Sequence, residues 1–157
     1  MAATGVLLAG GQSRRMKTNK ALLDWQGEPL IAFQARRFQA WFSETILITN
    51  SPSEYAFLGL PMYSDRIPGL GPLVGIEAAL GASRFPLAFV AACDMPFIDE
   101  ALVRYMVELA AGDYDAVVPR IGRQREPLHA VYGKACLPHI AELLDQGTYA
   151  VAPLFSR

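Results

Sequence analysis

The sequence is short of charge, cysteine and histidine. Charged residues make up 18 % of its 157 positions, and histidine occurs only at His129 and His139. The two cysteines, Cys93 and Cys136, can form one bridge at most, which excludes a disulfide-stapled scaffold. Their spacing relative to the histidines does not suit zinc. Basic excess is missing too. The formal net charge is -1, whereas a general nucleic-acid binder driven by counterion release is normally basic. Every apolar run is interrupted by charge, Pro or Gly before it reaches the roughly 20 residues of a membrane span. The opening stretch, residues 1–11, is apolar but short and lacks a basic start. Arg14-Arg15 is followed by Lys17, Asn19 and Lys20 rather than by the apolar run of a twin-arginine signal. The expectation is a cytoplasmic protein without nucleic-acid or membrane partners.

What the chain does have is apolar content. Hydrophobic residues reach 52 % and the mean hydropathy is +0.22, which excludes intrinsic disorder. The length suits one domain over residues 1–157. The charge is unevenly placed. The first 23 residues hold Arg14, Arg15, Lys17 and Lys20 and no acid, a local +4. The rest holds ten bases against fifteen acids, or -5. A basic cluster is often only a solvated loop. The alternative is a site for a phosphorylated small molecule, and the surrounding residues bear on the choice.

Short apolar runs alternate with helical periodicity. Strands are expected at residues 4–8, 45–49, 60–63, 86–92, 116–119 and 128–132. The last of these is expected to be antiparallel or at an edge, because Pro127 precedes it. Helices are expected at 29–42, with Ile31, Ala35, Phe38 and Phe42 on one face, and at 73–82. A third is expected after an Asp99 cap, with Leu102, Tyr105, Met106 and Leu109 inward. A fourth covers 135–146, with Leu137, Ile140, Leu143 and Leu144 inward. Such alternation implies an α/β fold in three layers, with a mostly parallel, Rossmann-like sheet between helices. Ligands then sit beyond the carboxyl ends of the strands, so the segments 9–20 and 93–97 are the places to look.

The first strand end reads Leu8-Ala9-Gly10-Gly11-Gln12-Ser13-Arg14-Arg15. Adjacent glycines let amide N–H groups approach an anion. Ser13 adds a hydroxyl, Arg15 a two-pronged donor and Lys20 a mobile cation. The loop is not a Walker motif, since Gly11 stands where the lysine belongs, and no G-x-G-x-x-G follows the strand. At the second strand end Asp94 follows seven apolar residues. It reads either as a turn residue before Met95-Pro96 or as a ligand for Mg²⁺, a hard cation that takes carboxylates together with substrate phosphates.

Four ordered motifs carry a resemblance across residues 5–144. They are Leu8-Ala9-Gly10-Gly11-x-Ser13-x-Arg15-Met16 with Lys20-Ala21-Leu22-Leu23, Gly71-Pro72-Leu73-Val74-Gly75-Ile76, Cys93-Asp94-Met95-Pro96-Phe97 and Glu126-Pro127-Leu128-His129-Ala130-Val131-Tyr132. Together they resemble the molybdenum cofactor guanylyltransferases of the nucleotidyltransferase fold. The resemblance implies transfer of GMP from GTP to molybdenum-molybdopterin with release of pyrophosphate. It implies that Leu8, Ala9 and Gly10 hold the nucleotide through their backbone, that Lys20 meets phosphate, and that Asn50 and Asp65 contact the nucleotide. Asp94 would bind both nucleotide and Mg²⁺, and Arg15, Lys20 and Asp94 would serve the transfer itself. Molybdoenzyme maturation proteins are the partners it implies. His129 reads as a structural residue, with a pterin contact as the alternative. His139 reads as a surface residue, Cys93 and Cys136 as small buried groups, and Trp25 and Trp41 as packing residues.

The sequence departs from that family at Lys17, where glycine is usual, and at Asn19, where aspartate is usual. It also holds no Asn-x-Asn-Thr-Pro segment near its end. Two alternatives therefore stand beside the guanylyl reading: a cytidylyl- or sugar nucleotidyltransferase, and a non-catalytic nucleotide-binding protein.

Overall fold

The structure is a computed structural model and describes residues 1–10 and 19–156. The chain opens with β1 (Thr4–Leu8), and a 3₁₀ turn stands at Lys20–Leu22. A hairpin of β2 (Asp24–Trp25) and β3 (Glu28–Pro29) leads into α1 (Leu30–Trp41) and β4 (Glu44–Ile48). Then come α2 (Pro52–Tyr55), β5 (Met62–Tyr63), α3 (Pro72–Ala82), β6 (Leu87–Ala92) and α4 (Glu100–Ala110). The chain continues through β7 (Ala116–Val117), a second hairpin of β8 (Arg120–Ile121) and β9 (Gln124–Arg125), β10 (His129–Gly133) and α5 (Leu137–Asp145). No helix among the described residues is long and apolar enough to cross a membrane.

One sheet of six strands runs in the order β5-β4-β1-β6-β10-β7. β1 lies between β4 and β6, parallel to both, with Gly5 opposite Thr45 and Phe89. β10 runs antiparallel to both β6 and β7. It is interior rather than an edge, because Pro127 falls just outside it and spends its carbonyl on the Tyr132 hydroxyl at 2.7 Å.

Alternate residues of each strand feed two cores, as pleating requires. Leu7 and Phe89 join Ile31, Phe38 and Phe42 and α4's Val103 and Met106 on one face. Val6, Ile46, Val90 and Tyr132 join Leu73, Ile76 and Leu80 of α3 and Ile140 of α5 on the other. This is the expected α/β/α layering. Phe38, Phe42 and Phe89 pack with ring centroids 5.3–5.9 Å apart. Gly5 lies beneath them, where a Cβ would stand 2.4 Å from Phe42 Cδ2 and 2.9 Å from Phe38 Cδ2. Glycine is thus needed there for space.

α4 is turned relative to its sequence reading. Asp99 caps it as expected, accepting the Leu102 N–H at 2.8 Å. The buried face is Val103, Met106, Val107 and Ala110, while Leu102 and Tyr105 are exposed. Contact with β10 and β6 selects the valine stripe over the overlapping leucine–tyrosine stripe. The two hairpins also fall outside the sequence reading. The first turns at Gln26 (φ 54°) and Gly27 (φ 90°), the left-handed pair of a tight hairpin turn.

Candidate active site

Three parallel strands deliver their carboxyl ends to one edge of the sheet. β1 ends at Leu8-Ala9-Gly10, β4 at Thr49-Asn50 and β6 at Cys93-Asp94. A cavity of about 870 Å³ opens there, and its walls include Leu8, Ala9, Gly10, Lys20, Asn50, Asp65, Gly75 and Asp94. The structure therefore brings together the sequence-chosen residues that it describes. Gly11, Ser13 and Arg15 lie outside the described residues.

Some of the backbone named at the first strand end serves the sheet. The Ala9 N–H donates to the Ile48 carbonyl at 2.9 Å, and the Leu8 carbonyl accepts the Cys93 N–H at 3.1 Å. These bonds lock the β1, β4 and β6 ends into register around the cavity.

Asp94 sits on a turn that α1 holds from below. The buried Gln34 amide donates to the Met95 carbonyl, and the Arg37 guanidinium donates to the Ile98 carbonyl. A fully buried glutamine on an otherwise apolar helix face thereby satisfies its donor and fixes the segment carrying Asp94. Asp94 itself is exposed. Neither of its oxygens accepts a hydrogen bond among the described residues, so its oxygens are available to a hard cation or a ligand donor. No group of three metal-ligating side chains is found among the described residues. A single carboxylate completed by phosphate and water remains a familiar Mg²⁺ arrangement.

Asp65 follows β5 and pairs reciprocally with Asn50. Its N–H donates to Asn50 Oδ1 at 3.2 Å, while Asn50 Nδ2 donates to Asp65 Oδ2 at 3.5 Å. Asp65 Oδ1 is buried with no partner among the described residues. Burial raises the Asp65 pKa, and the Asn50 hydrogen bond only partly opposes this. Gly75, in the first turn of α3, leaves room beside it. A Cβ there would lie 3.7 Å from Asp65 Oδ1 and 3.5 Å from Leu8 Cδ2. Gly71 caps α3 at φ 125°, where a Cβ would press to 3.0 Å from the Tyr149 carbonyl, so this entry to the helix requires glycine.

The cavity also takes in Glu54, Tyr55 and Cys93, which sequence reasoning did not place in the site. Nothing in the short Ser-Pro-Ser-Glu-Tyr stretch marks α2 as part of a site; the chain crossing after β4 brings it there. Burial, and secondarily the Asp94 charge, pushes the Cys93 thiol up to about 12. Cys93 and Cys136 are both free. His129 packs edge-on against Phe89 at 5.1 Å, and burial lowers its pKa, as suits a neutral structural imidazole. His139 is exposed on α5. Trp41 is buried beside Phe38, and Trp25 packs against Phe33 and Phe97.

Known proteins share this arrangement. Residues 5–154 match the family model described as the MobA-like NTP transferase domain. A protein of Pelotomaculum thermopropionicum named probable molybdenum cofactor guanylyltransferase is 47 % identical over 142 residues, covering 90 % of this chain and 69 % of the relative. A molybdenum cofactor guanylyltransferase of Desulfosudis oleivorans is 32 % identical over 157 residues, covering 99 % of this chain and 78 % of the relative. Among solved structures, molybdopterin-guanine dinucleotide biosynthesis protein A of Archaeoglobus fulgidus superposes with a TM-score of 0.82 at 24 % identity, covering 98 % of this chain and 79 % of that one. A 2-C-methyl-D-erythritol 4-phosphate cytidylyltransferase of Thermus thermophilus gives 0.73 at 20 % identity, with coverage of 98 % and 83 %. The fold is thus shared by neighbours named for different nucleotides, and the sequence match is what places the protein among them: the chain belongs to the MobA-like NTP transferase family, enzymes that transfer a nucleotide.

Proposed function

We propose that this chain transfers GMP from GTP to the phosphate of molybdenum-molybdopterin, releasing pyrophosphate. The observation that carries the reading is the 47 % identity, over 90 % of the chain, to a relative named probable molybdenum cofactor guanylyltransferase. The reaction forms one P–O bond, from an acceptor phosphate oxygen to the α-phosphorus, and breaks the bond from that phosphorus to the α,β-bridging oxygen. No protein nucleophile is needed, so the demand on the chain is positioning and charge stabilisation.

The residues divide that work by chemistry. Asp65 supports a guanine reading, because a half-buried, acceptor-only carboxylate suits an edge presenting two N–H donors. Asn50, tied to Asp65, orients that carboxylate. Gly10, Gly11, Ser13, Arg15 and Lys20 are proposed to meet the phosphates, with Lys20 at the cavity wall. Asp94 is proposed to hold Mg²⁺ with phosphate and water, consistent with its open carboxylate. Bound there, the metal would neutralise charge on the triphosphate. Residues 1–157 are proposed to act as one nucleotidyltransferase domain.

The test is a melting-temperature panel with GTP, CTP, ATP and UTP, each with and without Mg²⁺. A ligand at 100 times its Kd stabilises the native state by about 2.7 kcal/mol. Selective stabilisation by GTP, strengthened by Mg²⁺, is expected; selective stabilisation by CTP would move the chain to the cytidylyl reading.

A further inference from the structure

Asn19 immediately precedes Lys20 and the 3₁₀ turn that Lys20 begins. All of its side-chain hydrogen-bonding groups are engaged. Oδ1 accepts the Ala21 N–H at 3.1 Å and caps the 3₁₀ turn of Lys20–Leu22. Nδ2 donates to the Tyr55 hydroxyl at 2.7 Å and to Glu54 Oε2 at 3.0 Å. An asparagine side chain offers an acceptor and two N–H donors, and here each donor has a partner on α2. Ala21, two residues on, is buried and anchors the turn. The asparagine therefore ties the Lys20–Leu22 turn to the segment that follows β4.

The charges nearby give this tie a purpose. Glu54 and Lys20 line the same cavity, yet Lys20 forms no ion pair among the described residues. One oxygen of the Glu54 carboxylate, Oε2, accepts from the Asn19 amide instead. Released, Glu54 would be a carboxylate on the same cavity wall able to compete with a nucleotide phosphate for the Lys20 ammonium. An aspartate at position 19 could keep the Ala21 cap and accept from the Tyr55 hydroxyl turned about, but with no N–H to donate it would lose the bond to Glu54. It would also place a second carboxylate against Glu54, and like charges at hydrogen-bond distance repel strongly. Burial raises the Tyr55 pKa, so the phenol stays protonated and can serve as the neutral acceptor that the amide needs.

We propose that Asn19 is a positioning residue for nucleotide binding: by engaging Glu54 and Tyr55 it fixes the backbone of Lys20 and keeps its ammonium free for a phosphate. The proposal rests on the reading of Lys20 as a phosphate ligand. The polarity of the contact makes it reversible by design. In the double variant N19D/E54Q the donor and acceptor exchange sides: the amide introduced at position 54 donates to the carboxylate introduced at position 19.

The experiment is calorimetric titration of the full chain with GTP and Mg²⁺, with melting temperatures measured alongside. N19D is expected to weaken GTP binding about tenfold, the scale of a lost hydrogen bond to a charged group. N19D/E54Q should recover binding to within about twofold of the parent on the same scale. In a K20A background, adding N19D should cost nothing further, because Asn19 acts through Lys20. If N19D should fail to fold, N19A, which loses the bonds without adding a charge, replaces it with the same expected direction. Loss of affinity by K20A but none by N19D overturns the proposal and leaves the reading of Lys20 intact. No loss by K20A overturns both. A fall in melting temperature for N19D without recovery of GTP affinity in N19D/E54Q means a merely structural role, and also overturns it.

Discussion

Replacing Asp65 by asparagine separates the cost of that carboxylate from its use. The side chain keeps its shape and a carbonyl oxygen, but the second oxygen becomes an N–H donor. In the free protein Asp65 Oδ1 is buried without a partner among the described residues, and burial raises its pKa. An acid whose folded pKa lies above its unfolded value weakens the fold at pH above the unfolded pKa, and the penalty is relieved as pH falls through the folded value. Removing the charge therefore leaves the melting temperature at neutral pH unchanged or raises it. Binding responds oppositely. A hydrogen bond to a charged group contributes about 1.5–3 kcal/mol, so GTP affinity should fall by roughly 10- to 100-fold. Because donors on the base favour the ionised carboxylate, the affinity of the parent should decline as pH drops through the raised Asp65 pKa, and the variant should lose that dependence. Calorimetric titration from neutral to acidic pH, with melting curves at each point, measures all three effects. A lowered melting temperature with unaltered GTP affinity would make Asp65 a structural loop residue and not a nucleotide contact.

Asp94→Ala should abolish metal-dependent transfer with little change in melting temperature, since the side chain is exposed and its oxygens accept no hydrogen bond among the described residues; a pyrophosphate assay beside a thermal melt checks this. Gly5→Ala drives a methyl into Phe42 and Phe38, and overpacking of this kind costs about 1–3 kcal/mol; scanning calorimetry should show a melting temperature lowered by several degrees. Cys93, with its thiol pushed up to about 12, should resist iodoacetamide at pH 8 in the native protein and react once unfolded, as mass spectrometry of the labelled chain reports.

Much of the layer architecture is legible in the sequence because a buried strand must be apolar on both faces. Val6-Leu7-Leu8 and Leu87 to Ala92 have no other easy reading, and both prove central. α4 shows where periodicity stops deciding. Met106 belongs to either of two overlapping apolar stripes, and only contact with the sheet turns Val103 and Val107 inward. The hairpins rest on positive φ at Gln26, Gly27 and Gly122, two- to four-residue features that hydrophobic period does not register. For the site, Gly10 and Asp94 stand at strand ends and Lys20 closes the basic segment after the first of them, so all three are visible as chemistry. Asp65 follows a two-residue strand and enters through family resemblance alone. The supports are the least visible: Gln34 reaches Met95 across 61 positions and Asn19 reaches Tyr55 across 36. Such contacts exist only once the chain has folded.

Pyrophosphate release from GTP, with molybdenum-molybdopterin as acceptor and Mg²⁺ present, measures the proposed transfer itself. Release is expected to require GTP, acceptor and metal together, and to disappear in Asp94→Ala. GTP bound with no pyrophosphate above the acceptor-free blank, or release supported by CTP in place of GTP, would contradict the proposed transfer.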